Sequence, residues 1–266
     1  YSSADALRAD PPEADVYLSG SDQIWNPLFP NGKDPAFYLD FVQHGVRASY
    51  AASFAVDAFP EELRTATARY LRRFDRISLR EPSGLAILAS MGIRDAVCVP
   101  DPVFLPERSC WDAMAKTPRP DGAPYLLVYD FDNSPVIRRM AEQIARDRDL
   151  CIYSVFEVPY ARRCFPLSGP EEFLGLIRNA SFVLSNSFHA TAFSVIFGKE
   201  FAVAERSEQI NTRMRDFTAT LGLSDRMAVN GNTAYPAIDW ADVSRRLQTQ
   251  VRSAKNYLDE VLRSAE

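Results

Sequence analysis

The residues best placed for chemistry lie between Ser181 and Ser194. This segment reads as a strand, a polar turn at Asn186 and Ser187, and an apolar helix that carries His189 in its first turn. A helix that starts after a strand presents free N–H groups and the positive end of its dipole, so it can hold an anion. A histidine there can move a proton to or from that anion. We predict an anion site with His189 as catalytic residue; capping by Ser187 is compatible with it, and simple packing of His189 is the alternative.

Polar residues also follow four other predicted strands. They are Gly20-Ser21-Asp22, Ser53, Arg80-Glu81 and Asp101. Ligands of open parallel sheets bind beyond the carboxyl ends of the strands, so we expect these turns and Asn186–His189 to converge on one cleft. The planar fork of Arg80 suits a carboxylate or phosphate, whereas a salt bridge to Glu81 is the alternative.

The stretch from Gly20 to Pro27 combines groups that suit a sugar. Asp22 is a candidate base, and Gln23 and Trp25 can hydrogen-bond and stack on a sugar ring. The alternative is an Asx-type turn with Trp25 buried as a plug.

A second arginine, Arg213, opens a predicted helix after an acidic loop. It can reach an anion held near Phe188, or pair on the surface with Glu208 or Asp216. His44, the other histidine, lies in a polar loop and is predicted to be exposed.

Short apolar strands alternate with amphipathic helices along the chain, which indicates parallel α/β architecture. The turn-rich stretch from Lys116 to Gly122 marks a domain boundary. We predict two Rossmann-like doubly wound domains, residues 1–118, lacking a first strand, and residues 119–235, carrying the donor site. Residues 236–266 form an amphipathic helix from Trp240 that packs back on the first domain. Because the chain begins at Tyr1, we expect further residues upstream.

Composition excludes several classes of protein. A net charge of −5 argues against a nucleic-acid binder. None of the four cysteines forms a C-x-x-C pair, so we expect no metal site and a cytoplasmic location. Absence of P-loop, G-x-G-x-x-G, G-x-S-x-G and H-E-x-x-H motifs weighs against an NTPase, a classical NAD enzyme, a serine hydrolase and a zincin.

Taken together, these motifs resemble the polysaccharide pyruvyl transferases. The matching stretches, in the order of the family, are 20–27 (GSDQIWNP), 49–54 (SYAASF), 77–84 (ISLREPSG), 99–105 (VPDPVFL), 185–194 (SNSFHATAFS) and 211–213 (NTR). The resemblance implies a GT-B-like fold and transfer of a pyruvyl group from phosphoenolpyruvate to two hydroxyls of a sugar, giving a cyclic ketal. It maps the conserved histidine of the family onto His189 and a conserved arginine onto Arg80.

A mechanism follows as a hypothesis. Arg80 and Arg213, with the helix end at Ser187 to Ala190 and with Asn186, hold phosphoenolpyruvate; His189 is the acid, and Asp22 or Asp101 is the base. No cofactor is required. Some members carry an arginine where this chain has Ser187, a charge that Arg213 can supply, and the first glycine- and asparagine-rich loop of the family would lie upstream of Tyr1.

Two rival functions remain open at this point. One is a GT-B glycosyltransferase with Glu205 or Glu208 on a nucleotide ribose, and the other is a non-catalytic glycan-binding relative. The expected acceptor is a sugar of a bacterial-type polysaccharide or its lipid-linked precursor. A lipid-linked acceptor would place the enzyme at the inner face of the membrane, where the tail helix is a candidate for peripheral contact, although its mixed charge favours packing on the first domain.

Overall fold

The computed structural model describes residues 1, 3–116, 122–206, 211–228 and 233–265. The chain divides into two compact units. The first comprises Tyr1–Leu105, Ile210–Asp216 and Arg245–Glu266, and the second comprises Pro106–Gln209 and Phe217–Ser244. No helix in the described ranges has the length and apolarity needed to cross a membrane.

The N-terminal part of the first unit alternates strands with helices. Its elements are α1 (Ala4–Ala9), β1 (Val16–Ser19), β2 (Val46–Ser49), α2 (Glu61–Leu71), β3 (Ile77–Leu79), α3 (Pro82–Ser90) and β4 (Ala96–Cys98). β1 pairs with β2 and β3 with β4, both in parallel. Single parallel bridges from Ala48 to Arg76 and from Ala52 to Leu79 connect β2 with β3. The carboxyl ends of all four strands therefore lie on one edge.

The second unit carries a five-stranded sheet. Its elements are α4 (Arg108–Met114), β5 (Tyr125–Tyr129), α5 (Pro135–Arg148), β6 (Cys151–Ser154), β7 (Arg163–Cys164), α6 (Pro170–Asn179), β8 (Phe182–Ser185), α7 (Phe188–Phe197) and β9 (Phe201–Val203). All neighbours are parallel, in the order β7-β6-β5-β8-β9. The order reverses between β5 and β8, where open sheets of this kind bind ligands.

Two further helices cross the division between the units. They are α8 (Thr212–Thr220) and α9 (Trp240–Arg263). Within the first unit, Ala254, Tyr257 and Val261 of α9 pack on a cluster that includes Tyr50 and Val99. The Tyr257 hydroxyl also donates to the Ser49 carbonyl at 2.7 Å. This confirms the predicted return of the C-terminal helix.

Burial of aromatic side chains organises the core of the first unit. Trp25 is fully buried, stacked on Tyr38 at 5.7 Å between ring centroids and edge-on to Phe74 at 5.5 Å. In the second unit the apolar face of α5 packs on β5 and β8, with Ile137, Met140 and Ile144 at its centre.

The apolar run from Arg47 to Phe54 predicts one continuous strand, but the observed strand ends at Ser49. Ala51 and Ala55 adopt left-handed φ values of 52° and 57°, which extended strands exclude. The apolar side chains of this segment are buried all the same, so hydrophobicity alone did not distinguish a strand from a coiled core segment.

The two units also differ from the predicted domains. The boundary predicted after residue 118 lies outside the described residues, whereas the compact units divide after Leu105. α4 belongs with the second unit because its Trp111 ring lies 5.1 Å from that of Phe193. Residues 236–266 do not form a separate body, since the division falls within α9 after Ser244.

Candidate functional site

A buried ion cluster lies at the carboxyl edge of the first unit. Arg80 follows β3 directly, and its side chain is 2% exposed. Its Nη1 donates to Asp101 Oδ2 at 2.6 Å and its Nη2 to Asp22 Oδ1 at 3.0 Å. Asp101, equally buried, also accepts from the Ser21 hydroxyl at 3.0 Å and the Val103 amide at 3.1 Å. Arg80 thereby ties together the ends of β1, β3 and β4.

A second guanidinium meets the same carboxylate. Arg213, at the start of α8 and 9% exposed, donates from Nη1 to Asp22 Oδ1 at 2.9 Å. Asp22 itself is 56% exposed and has a left-handed backbone with φ of 70°. Two charged donors thus converge on one exposed oxygen. Arginine forks in this arrangement suit a carboxylate or a phosphate.

Burial and charge act in opposite directions on Arg80. Burial lowers the pKa of its guanidinium, while the carboxylates of Asp101, Glu81 and Asp22 raise it by more in sum, so that the pKa is raised overall. The side chain stays charged at all accessible pH values and presents a permanent cation at this edge.

Glu81 shapes the adjoining turn. Its Oε1 accepts hydrogen bonds from the Ser53 hydroxyl at 2.9 Å and from the amides of Phe54 and Ala55 at 2.9 and 3.0 Å. Burial raises the pKa of the Glu81 carboxyl, against the lowering influence of Arg80 and these hydrogen bonds. Its second oxygen has no hydrogen-bond partner among the described residues. Glu81 therefore holds the left-handed segment beside Arg80 in place.

In the second unit, the turn between β8 and α7 has the predicted form. Ser187 is the N-cap, and its hydroxyl accepts from the Ala190 amide at 3.4 Å. His189 follows in the first turn of α7, half-buried, with its ring perpendicular to that of Phe188 at 5.5 Å between centroids. The histidine therefore lies at the carboxyl edge of β8, beside the point where the strand order reverses.

Asn186 connects this turn with the end of β5. Its side-chain amide donates to Asp130 Oδ1 at 3.0 Å, and its carbonyl oxygen accepts from the Phe131 amide at 3.0 Å. Asp130 is buried and also accepts from the Ser134 amide at 2.6 Å. Burial raises the pKa of Asp130, partly offset by these hydrogen bonds. Asn186 and Asp130 thus fix the loop that follows β5.

Comparison with known proteins identifies the family. Residues 1–208 match the family described as polysaccharide pyruvyl transferase. The chain belongs to the polysaccharide pyruvyl transferase family. No curated protein sequence is significantly similar to it.

Solved structures of similar fold include UDP-N-acetylglucosamine 2-epimerases. A UDP-N-acetylglucosamine 2-epimerase has a TM-score of 0.60 at 12% identity, over 97% of this chain and 74% of that one. The UDP-GlcNAc 2-epimerase of Neisseria meningitidis, bound to UDP-GlcNAc, has 0.55 at 11%, over 97% and 72%. A putative UDP-N-acetylglucosamine 2-epimerase of Listeria monocytogenes has 0.54 at 12%, over 96% and 68%. At these identities the likeness shows the fold alone. It confirms the predicted GT-B-like α/β class.

Several expectations for individual residues need correction. Trp25 is not available for stacking on a sugar, because it is fully buried and its Nε1 donates to the Phe37 carbonyl at 3.0 Å. Gln23 accepts from Asn26 Nδ2 at 2.7 Å, so its carboxamide oxygen serves the loop. Ser53 is fully buried against Glu81. Trp25 and Ser53 therefore build the edge of the first unit instead of facing a ligand, whereas contact of the half-buried Gln23 with a sugar stays a prediction.

The described hydrogen bonds of the two arginines go to aspartates of the first unit. Arg80 bonds Asp101 and Asp22, whereas the hydrogen bonds of Glu81 go to the turn at Ser53. Arg213 belongs with the first unit and contacts Asp22. The alternative partner Glu208 lies outside the described residues. His44 is exposed, as predicted.

Asp130 was not among the predicted site residues, although it directly follows the strand Tyr125–Tyr129. The rule that selected Arg80 and Asp101 would also have selected it. Among the described residues, no group of three histidine, cysteine or carboxylate side chains is placed to hold a metal ion.

Replacement of Glu81 by glutamine should change the pH dependence of stability. Burial raises the carboxyl pKa in the native state, so the folded chain binds more protons than the unfolded chain. The stabilisation of the protonated form is complete below the unfolded pKa of about 4.3 and is lost as pH rises through the native pKa. Glu81→Gln does not titrate, so its free energy of unfolding should improve relative to wild type as pH rises from about 4.

Urea denaturation at a series of pH values measures this effect. Glu62→Gln, on an exposed position of α2, controls for loss of one carboxylate from the chain. The compared quantity is the free energy of unfolding of Glu81→Gln minus that of wild type. If this difference stays constant or falls as pH rises, the prediction is contradicted.

Proposed function

We propose that this chain transfers the pyruvyl group of phosphoenolpyruvate to two hydroxyls of a sugar, forming a cyclic ketal and releasing phosphate. The observation that carries the proposal is the convergence of Arg80 and Arg213 on one exposed carboxylate at a strand edge. Phosphoenolpyruvate carries both a carboxylate and a phosphate, the two groups that arginine forks bind best. Membership of the family supports the same reaction.

The proposed roles follow from burial and charge. Arg80 and Arg213 hold the donor anion. Asp101 keeps Arg80 in position, because its carboxylate is 2% exposed and is held by hydrogen bonds within the first unit. His189 donates a proton to the methylene carbon of the donor, which gives the adjacent carbon oxocarbenium character. A sugar hydroxyl adds to that carbon and loses its proton to Asp22. Attack by the second hydroxyl then closes the ketal as phosphate leaves. The proton of this hydroxyl returns to His189, and the proton held by Asp22 leaves with the phosphate.

The proposed acceptor is a sugar of a polysaccharide or of its lipid-linked precursor. The family supports the polysaccharide, and the choice between a free and a lipid-linked acceptor is part of the proposal.

A second candidate function is glycosyl transfer from a nucleotide sugar. It is favoured by a cavity of about 670 Å³ in the second unit, lined among others by Glu205, Arg139 and Gln143. A carboxylate such as Glu205 can bind ribose hydroxyls, and the solved structures of similar fold include one bound to UDP-GlcNAc.

Ligand-dependent thermal stability separates the candidates. A ligand at about 100 times its dissociation constant adds about 2.7 kcal/mol of stability. We expect that shift with phosphoenolpyruvate and not with a panel of nucleotide sugars. Arg213→Met should abolish it, whereas Arg215→Met, two residues further along α8 and half-exposed, should retain it. A shift with nucleotide sugars alone would favour glycosyl transfer, and a shift with neither would favour a non-catalytic relative.

A further inference from the structure

The Asp22 carboxylate occupies the position that a bound anion would take. Its Oδ1 accepts from Arg80 Nη2 at 3.0 Å and from Arg213 Nη1 at 2.9 Å, so one oxygen receives both guanidinium groups. An oxygen of a carboxylate or phosphate ligand would make the same two charge-assisted hydrogen bonds. A ligand anion therefore competes with Asp22 for these donors.

Two carboxylates among the described residues accept hydrogen bonds from Arg80, and of these Asp22 is the one in a position to give way. Asp101 is 2% exposed and is also held by the Ser21 hydroxyl and the Val103 amide. Asp22 is 56% exposed, so its carboxylate can turn into solvent without being buried unpaired. The two arginines, at 2% and 9% exposed, stay where the fold places them.

The backbone of Asp22 is held in a fixed conformation, so that the side chain alone can leave the two arginines. Its φ of 70° lies in the left-handed region, which residues with a Cβ adopt at some cost and aspartate tolerates better than most. A bridge to Ala52 holds this conformation, and the Trp25 amide donates to the Ser53 carbonyl three residues later. Exchange can therefore proceed by a change of the Asp22 side-chain rotamer, with the backbone held in place.

We propose that Asp22 is an internal substitute for the anionic group of the substrate, released from Arg80 and Arg213 when that group binds. The identity of the anion, phosphoenolpyruvate, rests on the proposed function. Before binding, both guanidinium groups donate to the Asp22 carboxylate and hold it in place. Once a substrate oxygen replaces it, the carboxylate is free to accept the proton of a sugar hydroxyl. Binding of the donor thus prepares the base for the acceptor.

Asp22→Asn tests the exchange, because asparagine keeps the shape and tolerates the left-handed backbone but lacks the competing charge. By titration calorimetry we expect inorganic phosphate and phosphoenolpyruvate to bind about tenfold more tightly, as when a binding-competent state rises from about a tenth of the population to nearly all of it. Turnover should fall about 10²-fold through loss of the base, so that KM and kcat both decrease.

The matched control is Asp57→Asn. Asp57 is exposed and pairs with Arg215 of α8 at 2.6 Å, so it reproduces an aspartate–arginine contact away from the cluster. It should leave phosphate affinity and turnover unchanged. Asp22→Gly, which also suits the backbone, should match Asp22→Asn in phosphate affinity and guards against misfolding of either variant.

Unchanged or weaker phosphate binding in both Asp22 variants would overturn the exchange. The outcome is separable from failure of the proposed function. If no acceptor is pyruvylated and phosphoenolpyruvate binds no better than phosphate, the phosphate titration still decides whether Asp22 competes for the arginines.

Discussion

Replacing Arg80 with methionine is expected to abolish binding of phosphoenolpyruvate and to lower turnover by at least about 10²-fold, the scale of losing one preorganised charged donor. The same change should destabilise the protein by about 3–5 kcal/mol, because it breaks a buried pair and leaves a carboxylate without its cation. Asp101 is that carboxylate, at 2.6 Å from the guanidinium and 2% exposed. Phosphate release and urea denaturation measure the two effects separately.

A double variant separates the structural role of Arg80 from its chemical role. In Arg80→Met/Asp101→Asn the buried charge is removed together with its partner, so stability should return toward wild type. Activity should remain lost, because no fork is left to hold the donor. Recovery of activity along with stability would show that Arg80 acts only by holding the fold.

Replacing His189 with glutamine should lower turnover by about 10²–10⁴-fold, the usual contribution of a positioned general acid. Binding of phosphoenolpyruvate should persist, since its anionic groups are assigned to the arginines of the first unit. Single-turnover measurement of phosphate release, with the calorimetric affinity determined in parallel, distinguishes these two quantities.

The chain supplies its own control for this experiment. His44, the other histidine, is exposed, and His44→Gln should leave turnover unchanged. Near-normal turnover in His189→Gln would exclude His189 as the acid and return it to the alternative of a packing residue beside Phe188.

Positions at strand ends were predictable from the sequence, whereas the partners of those residues were not. Arg80 and His189 follow buried strands, and Asp101 follows a short strand that is partly exposed. The apolar runs of these strands are visible in the sequence, and parallel topology places the strand ends of each sheet on one edge. The hydrogen bond between Arg213 and Asp22 joins residues 191 positions apart in the sequence. A local sequence pattern cannot predict such a contact. Arg213 was assigned to the second domain by chain order alone, although it belongs to the first unit.

Burial of Trp25 illustrates the same limit. Its sequence neighbours are polar, so the segment resembles an exposed binding turn. What buries the indole is contact with Tyr38 and Phe74, 13 and 49 residues further on, which depends on how the later elements pack. Local polarity therefore predicted the loop correctly, but it did not predict the burial of the Trp25 side chain.

Assembly of the first unit from three separate stretches has a consequence for synthesis on the ribosome. Its sheet strands emerge first, yet Arg213 and the α9 residues that cover Tyr50 and Val99 emerge only after most of the second unit. The second unit can complete its five-stranded sheet while the first still exposes an apolar surface. The ion cluster of Arg80, Asp22 and Arg213 is therefore completed late in synthesis. A chain released before Arg213 is made would lack it.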